Sequence, residues 1–319
     1  MQSRKRQRPK NTGKVLLLAG LCLLQTSVGL SAAPQTNGRD KVETYGPPVK
    51  IANLKNPSII ESSGLVASRT KKGAYWTHND SGDGPFIYAF DATGASLGTW
   101  KVVGATARDW EDIAIGPGPD RKKSYLYVGD IGDNSKSRDE IVVYRVVEPL
   151  ITALDRKSNK SKPGLTATAE AIRLRYPDGP HDAEALLVHP VTGHLYIVNK
   201  IPLSNASVYE APAPLTPGNV ITMKRLGELK LPSLFGGIIT GGDISPDGKR
   251  VALCDYFQGY ELVLPEGSRS FDGIWQERIK SFNLGKRKQG ESIAYRLDGR
   301  ALMATSEGKS SELIEVVRQ

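Results

Sequence analysis

Five times along this chain a related segment recurs, opening on an acidic or polar residue and running into an apolar strand. The copies begin at Glu61 (ESSGLVAS), Asp109 (DWEDIAIGP), Asp182 (DAEALLVHP), Thr240 (TGGDISPDG) and Gln289 (QGESIAYRLDG), 48, 73, 58 and 49 residues apart. Self-similarity at this period marks an architecture whose units bury their apolar faces against one another. After each opening strand come a turn rich in Gly, Pro and Asp and a second run: AYWTHND, YLYVGDI, LYIVNK, VALCDY or ALMATSEG. Such pairs read as β-hairpins. Third strands follow in every unit (FIYAFDA, IVVYRVV, SVYEAPA, YELVLPE, SELIEVV), and fourth strands in the first four (GTWKVV, AEAIRLRY, ITMKRLGEL, RIKSFNL).

The expected fold is therefore all-β, a β-propeller of four-stranded antiparallel blades. Five blades are expected, or six if the N-terminal part hides a degenerate unit. The fifth unit lacks a fourth strand, and VKIANL, residues 49–54, precedes the first unit. Pairing the two would close the ring and leave only short sheet edges. A polar insert, 155–166, accounts for the longest spacing and reads as a surface loop. No sustained helical periodicity appears beyond the N-terminal apolar run.

That run, Val15 to Leu30, follows Arg4, Lys5, Arg6, Arg8, Lys10 and Lys14 with no acid among them, and small residues (Ser31, Ala32, Ala33) end it. The order is that of a signal peptide over residues 1–33. The run is shorter than the roughly 20 residues of a membrane span, and Cys22 lacks the preceding small residue of a lipid-anchor site. A nucleic-acid-binding basic arm is the alternative, disfavoured by the apolar stretch behind it. Removing six of the 43 basic residues leaves 37 against 34 acids, so the charge falls from +9 to about +3. The remaining chain, 34–319, reads as one secreted or periplasmic domain with no stable membrane anchor. It keeps one cysteine, Cys254, and so forms no internal disulfide.

In such blades the start of each first strand and the end of each second strand reach the same face. The starts carry Glu61, Asp109, Glu111, Asp182, Glu184, Asp243 and Glu291; the ends carry His78, Asn79, Asp80, Asp130, Asp133, Asn134, Asn199, Lys200, Asp255 and Glu307. Asp109 with Glu111, and Asp182 with Glu184, share a side of an extended strand because side chains alternate. Acids so crowded either rise in pKa or hold a cation. Hard oxygen donors favour calcium over zinc. The metal-ligating set is expected to be Glu61, Asp109, Glu111, Asp182, Glu184, Asp243 and Glu291. His78, His181 and Lys200 are the catalytic candidates; Asn79, Asp80, Asp130, Asp133, Asn134, Asn199, Asp255 and Glu307 are the ligand-binding candidates. The competing reading is that acids at strand starts accept backbone N–H groups at tight turns.

Other patterns carry less. Gly94-Ala95-Ser96-Leu97-Gly98 has the spelling of a nucleophile elbow but no helix behind it. Asn79-Asp80-Ser81-Gly82-Asp83-Gly84 lacks the glutamate that completes an EF-hand, and no P-loop, HExxH or GxGxxG occurs. Cys254, in an apolar strand, reads as a buried small hydrophobe.

The series ESSGL, THNDSGDG, DWEDIA, YVGDIGDN, DAEALLVHP and YIVNK resembles a group of secreted bacterial β-propeller proteins without an assigned activity, over most of the mature chain. More distantly it is similar to esterase-like phytase proteins and to calcium-activated nucleotidases of five blades. The chain departs from those enzymes' ligand sets, so the resemblance implies the fold and leaves the activity open. Two functions remain. One is a calcium-dependent phosphoester hydrolase. The other is a noncatalytic module binding a glycan, peptide or small ligand, for which Trp110 and Tyr256 would supply aromatic surface. Neither uses nucleic acid.

Overall fold

The computed structural model describes residues 44–319; the export signal read at residues 1–33 lies outside them. Five antiparallel sheets make five blades. Blade 1 is Ser62–Ala67, Ala74–Asn79, Phe86–Asp91 and Ser96–Lys101. Blade 2 is Trp110–Pro117, Ser124–Asp130, Ile141–Val147 and Glu170–Arg175. Blade 3 is Ala183–Val188, Leu195–Asn199, Ala206–Ala211 and Lys224–Leu229. Blade 4 is Gly241–Ile244, Arg250–Cys254, Gln258–Val263 and Lys280–Asn283. Blade 5 takes Gly290–Tyr295, Ala301–Ser306 and Glu312–Val317 from the C-terminal end and Val49–Asn53 from the other, paired antiparallel through Val49 to Glu315 and Asn53 to Glu312.

Each sheet is buried on both faces, because one apolar cluster fills each gap between neighbouring blades. Trp76, Trp100, Trp110, Leu126 and Tyr144 fill the gap between blades 1 and 2. Ala252, Cys254, Ile293, Tyr295 and Leu302 fill that between 4 and 5. This explains why inner strands such as SSGLVA and AYWTHN are buried throughout rather than alternately. Burial pushes the Cys254 thiol up to about 11, so it packs and does not react.

The insert at 155–166 is more than a surface loop. Gly164–Leu165 adds a parallel strand to the edge of blade 1, and the Ser158 hydroxyl accepts the Thr99 N–H at 2.8 Å. A bare sheet edge is thereby covered. Helix is confined, among the described residues, to two short 3₁₀ turns, Asp155–Lys157 and Phe271–Gln276.

Polar groups stitch the inner strands together across the axis. Asp112 accepts its own neighbour's N–H (Ile113, 2.8 Å) with one oxygen and those of Leu186 (2.9 Å) and Gly242 (3.3 Å) with the other, tying blade 2 to blades 3 and 4. The Ser63 hydroxyl donates to the Glu111 carbonyl at 2.6 Å, joining blades 1 and 2. Gly64 is required beside it: its φ is +63°, and a Cβ there would stand 2.6 Å from the Ile113 nitrogen.

Candidate metal centre

Three β-bulges aim the site. In the first hairpin of blade 2 the pairing passes from Trp110 to Asp112, skipping Glu111. In blade 3 it skips Glu184, and in blade 5 Glu291. A bulged residue leaves the ladder and its side chain is re-aimed, and here each of the three is a glutamate at the same place in its repeat. Blade 4 pairs without a bulge, Gly241 through Ile244 in continuous register.

The glutamates enter a cluster with Asp80, Asp109, Asp182, Glu61 and Glu307. Oxygens of Asp80, Asp109 and Glu111 all lie within 4.8 Å of one another. Gly132 closes over them: a Cβ at this position would sit 2.1 Å from Glu111 Oε1 and 2.5 Å from Asp109 Oδ2. Burial pushes the Glu111 carboxyl well above the usual range, and Glu184, Asp80, Asp109 and Asp182 add repulsion. Burial, then Asp80 and Asp182, raises Asp109; burial, then Asp80 and Glu61, raises Glu307.

Two cations reach the cluster's edge: Arg138, which donates to the Gly132 carbonyl at 2.8 Å and acts on Asp109, and Lys200. Lys200 Nζ bonds Glu184 Oε1 and donates to the Tyr256 hydroxyl at 2.6 Å, lying 5.0 Å from that ring's centroid. Burial works against its charge, but Glu184 and Tyr256 hold Lys200 above its ordinary value. Glu184, raised by burial and lowered by Lys200, comes to about 7; its other oxygen, Oε2, is buried without a partner. Glu291, raised by burial and by Glu184, comes to about 8, although Gln289 donates to it at 3.0 Å. Gln289 also donates to Glu307 at 2.7 Å and so bridges two acids of blade 5. This glutamine is not among the expected site residues, because the other repeats open on Glu, Asp or Thr and nothing in its type marks it as a bridge.

The residues fit a hard divalent cation. Oxygens about 2.4 Å from a shared calcium are at most about 4.8 Å apart, and those of Asp80, Asp109 and Glu111 all lie within that limit. Asp80, expected to touch a ligand, thus stands with the candidate metal ligands.

Several expected site residues lie elsewhere. Asp243 is not at the mouth: its oxygens accept the Ile244 and Tyr295 N–H groups, each at 2.8 Å, and it faces Arg69. In the repeat it falls in register with Asp112, one residue past Glu111, and that step turns it away. His78 is wholly buried, its Nδ1 2.8 Å from the Asn79 carbonyl and its ring edge-on to Trp110; burial lowers its pKa and keeps it neutral. His181 Nε2 is held by Asp178 and the Tyr209 hydroxyl, both at 2.9 Å. Neither imidazole hydrogen-bonds an acid of the cluster, although Asp80 acts on His78 through space and His78 Nε2 is buried without a partner.

Most of the expected ligand-binding residues serve the backbone. Asn79 accepts from Ile60 and Glu61, fixing the approach to blade 1. Asp130 accepts the N–H groups of Arg108 and Asp109 and pairs with Arg138 at 2.8 Å. Asp133 accepts from Arg138, and its own N–H goes to Asp182. Asn199 accepts from Ser207, and Asp255 from Phe257, Gln258 and Tyr260. Asn134 is exposed on the loop after Asp133. Trp110 is buried, its ring N–H donating to Thr106, so of the two aromatics only Tyr256 borders the site.

No family model matches this chain, and no curated protein matches it. Among solved structures it is similar to a Thermus thermophilus protein described as an oxidoreductase of the glucose dehydrogenase type: 12% identity, 85% of this chain and 99% of that one, TM-score 0.46. It is also similar to a chain of the nidogen/laminin complex: 12% identity, 80% of this chain and 84% of that one, TM-score 0.41. The WD40 repeats of RRP9 match over 86% of this chain and 100% of theirs at 12% identity, TM-score 0.42. These likenesses concern the propeller fold and carry nothing about activity. No helix among the described residues is long and apolar enough to cross a membrane.

Proposed function

We propose that this is an exported propeller that binds calcium at Asp80, Asp109 and Glu111 and uses the site to hydrolyse a small phosphoester. One observation carries the reading: three carboxylates from two blades converge within 4.8 Å, and the lysine at the cluster's edge is already engaged by Glu184. Their mutual repulsion is only partly relieved, by Arg138 acting on Asp109 and by the raised pKa of Glu111, and a bound cation would relieve the rest. A bound divalent ion supplies Lewis acidity to a phosphoryl oxygen and to water. The chain's own groups do the rest. Burial and neighbouring acids raise Glu291 to about 8 and Glu184 to about 7 without the ion, which suits them to hold and pass a proton to a leaving group. They replace the two histidines, which the fold has committed elsewhere. Lys200 spends two of its three donors on Glu184 and Tyr256, and with the third it is the candidate grip on phosphate. The resemblance to secreted propellers and the basic-then-apolar leader support export.

The test is a screen of the mature protein against phosphomonoesters, phosphodiesters, nucleotides and phytate, with calcium and with chelator. Calcium-dependent turnover that disappears in Glu111→Gln/Glu184→Gln/Glu291→Gln is expected. Calcium binding without turnover of any substrate would instead identify a noncatalytic module for a glycan, peptide or other small ligand, with Tyr256 bordering its site.

A further inference from the structure

We infer that the mouth face of blades 3 to 5 docks on an anionic lipid surface. Four large apolar side chains stand in solvent on this face. Leu203 and Leu234 are 83% and 93% exposed, and Phe235 and Phe257 about half. They form one patch. The short pairing of Ile201–Pro202 with Gly236–Gly237 brings two loops together, the Leu203 N–H donates to the Phe235 carbonyl at 2.8 Å, and the Phe235 and Phe257 rings stack at 5.0 Å. Leu203 has a φ of +59°, a conformation that residues with side chains rarely take, and the patch is projected from it. Other exposed apolar residues lie away from it: Leu150 follows the third strand of blade 2, and Val191 is in the first hairpin turn of blade 3, at the end of that hairpin opposite the mouth. Contiguous exposed apolar surface marks a contact site.

Charge identifies the partner. Arg287 donates to the Asp255 carbonyl at 2.8 Å, which places its loop against the turn that carries Phe257. Lys286 and Lys288 flank it, Lys309 faces it across a shallow cavity, and all three lysines are exposed. Among the described residues none of these lysines pairs with a carboxylate. Protruding leucine and phenylalanine beside unpaired lysines is the chemistry of a surface that enters the headgroup layer and meets lipid phosphates. A protein partner would need no such protrusion. The acids of the axis lie beside this patch, and a cation bound there would lower their repulsion of the bilayer, so calcium should strengthen docking without being required for it.

The experiment is co-sedimentation of the mature protein with vesicles of phosphatidylcholine alone and of phosphatidylcholine with phosphatidylglycerol. Binding to the mixed vesicles, weakened by salt, is expected. Leu203→Ser/Leu234→Ser should lower it by about tenfold or more, from the lost burial of two side chains. Lys286→Ser/Lys288→Ser/Lys309→Ser should lower it by about tenfold and abolish the preference for phosphatidylglycerol. Leu150→Ser/Leu154→Ser, on the polar insert's side of the molecule, should change nothing. All variants lie in surface loops, and circular dichroism checks that they fold. Absence of binding to either vesicle, or equal binding by all variants, overturns the inference. So does self-association that Leu234→Ser abolishes in sedimentation velocity, if vesicle binding is absent. None of these outcomes depends on whether the axial site hydrolyses anything.

Discussion

Asp112 and Glu111 are adjacent in sequence and opposite in circumstance. Asp112 lies inside the ring with three backbone N–H groups on its two oxygens. Glu111 stands at the mouth, buried and facing acids. Asp130, Asp133, Asp243 and Asp255 belong with the first, saturated by backbone donors; Asp109, Glu184, Glu291 and Glu307 belong with the second. Acid content alone does not distinguish a site from a scaffold. Donor saturation does, because a carboxylate already satisfied by the backbone has little left to offer a cation.

Removing a saturated acid should have the largest effect. Asp112→Ala strands three buried N–H groups and should cost about 3 kcal/mol or more, a fall in Tm of several degrees by calorimetry. A variant as stable as the parent would show that Asp112 is not a tie between blades.

The pH dependence separates the two sets next. Glu184 and Glu291 sit at about 7 and about 8, above the ordinary 4.5, so the folded protein binds more protons than the unfolded chain across that interval. Raised carboxylates stabilise fully below the unfolded value and lose that contribution as pH rises through the folded one. Without calcium, stability should therefore fall between about pH 5 and about pH 8, by at most about 1.4 kcal/mol per pH step for each glutamate, less once solvent relaxes around it. Glu184→Gln/Glu291→Gln should flatten the slope. A slope of the opposite sign in chelator would contradict the mouth's electrostatics.

Gly132→Ala acts on the mouth alone. Its Cβ would meet the free ends of Glu111 and Asp109, which can swing aside. Calcium affinity should drop about tenfold with Tm nearly unchanged in chelator. His181→Gln, the smallest change, should alter stability by less than about 1 kcal/mol and leave calcium affinity intact, since its ring serves Asp178 and Tyr209.

The five-bladed fold is legible because the period survives in the opening segments and their turns, whatever the strands between them contain. The mouth is legible in part. D-W-E and D-A-E announce Asp109, Glu111, Asp182 and Glu184, but the bulges that aim the glutamates depend on pairing with a second strand and leave no residue-type signature. Asp243 shows the cost: the shared Asp-Ile of DWEDI and TGGDI sets it level with Asp112, but without the bulges nothing in residue type says that this position turns away from the mouth while the one before it turns in. His78 and His181 fail for a related reason, since what they pack against comes from Asn79 and Trp110 in one case and Asp178 and Tyr209 in the other. The polar insert's edge strand is hidden by its composition.

If donor saturation decides the matter, the unsatisfied acids of the mouth hold a cation and the saturated ones do not. Isothermal calorimetry of calcium into chelator-treated mature protein tests this, alongside Glu111→Gln and Asp243→Asn. One calcium bound per chain is expected, with about 2.7 kcal/mol of stabilisation at a hundredfold excess over Kd, abolished by Glu111→Gln and retained by Asp243→Asn. Heats of dilution alone in the parent, or binding lost in Asp243→Asn and kept in Glu111→Gln, would contradict it.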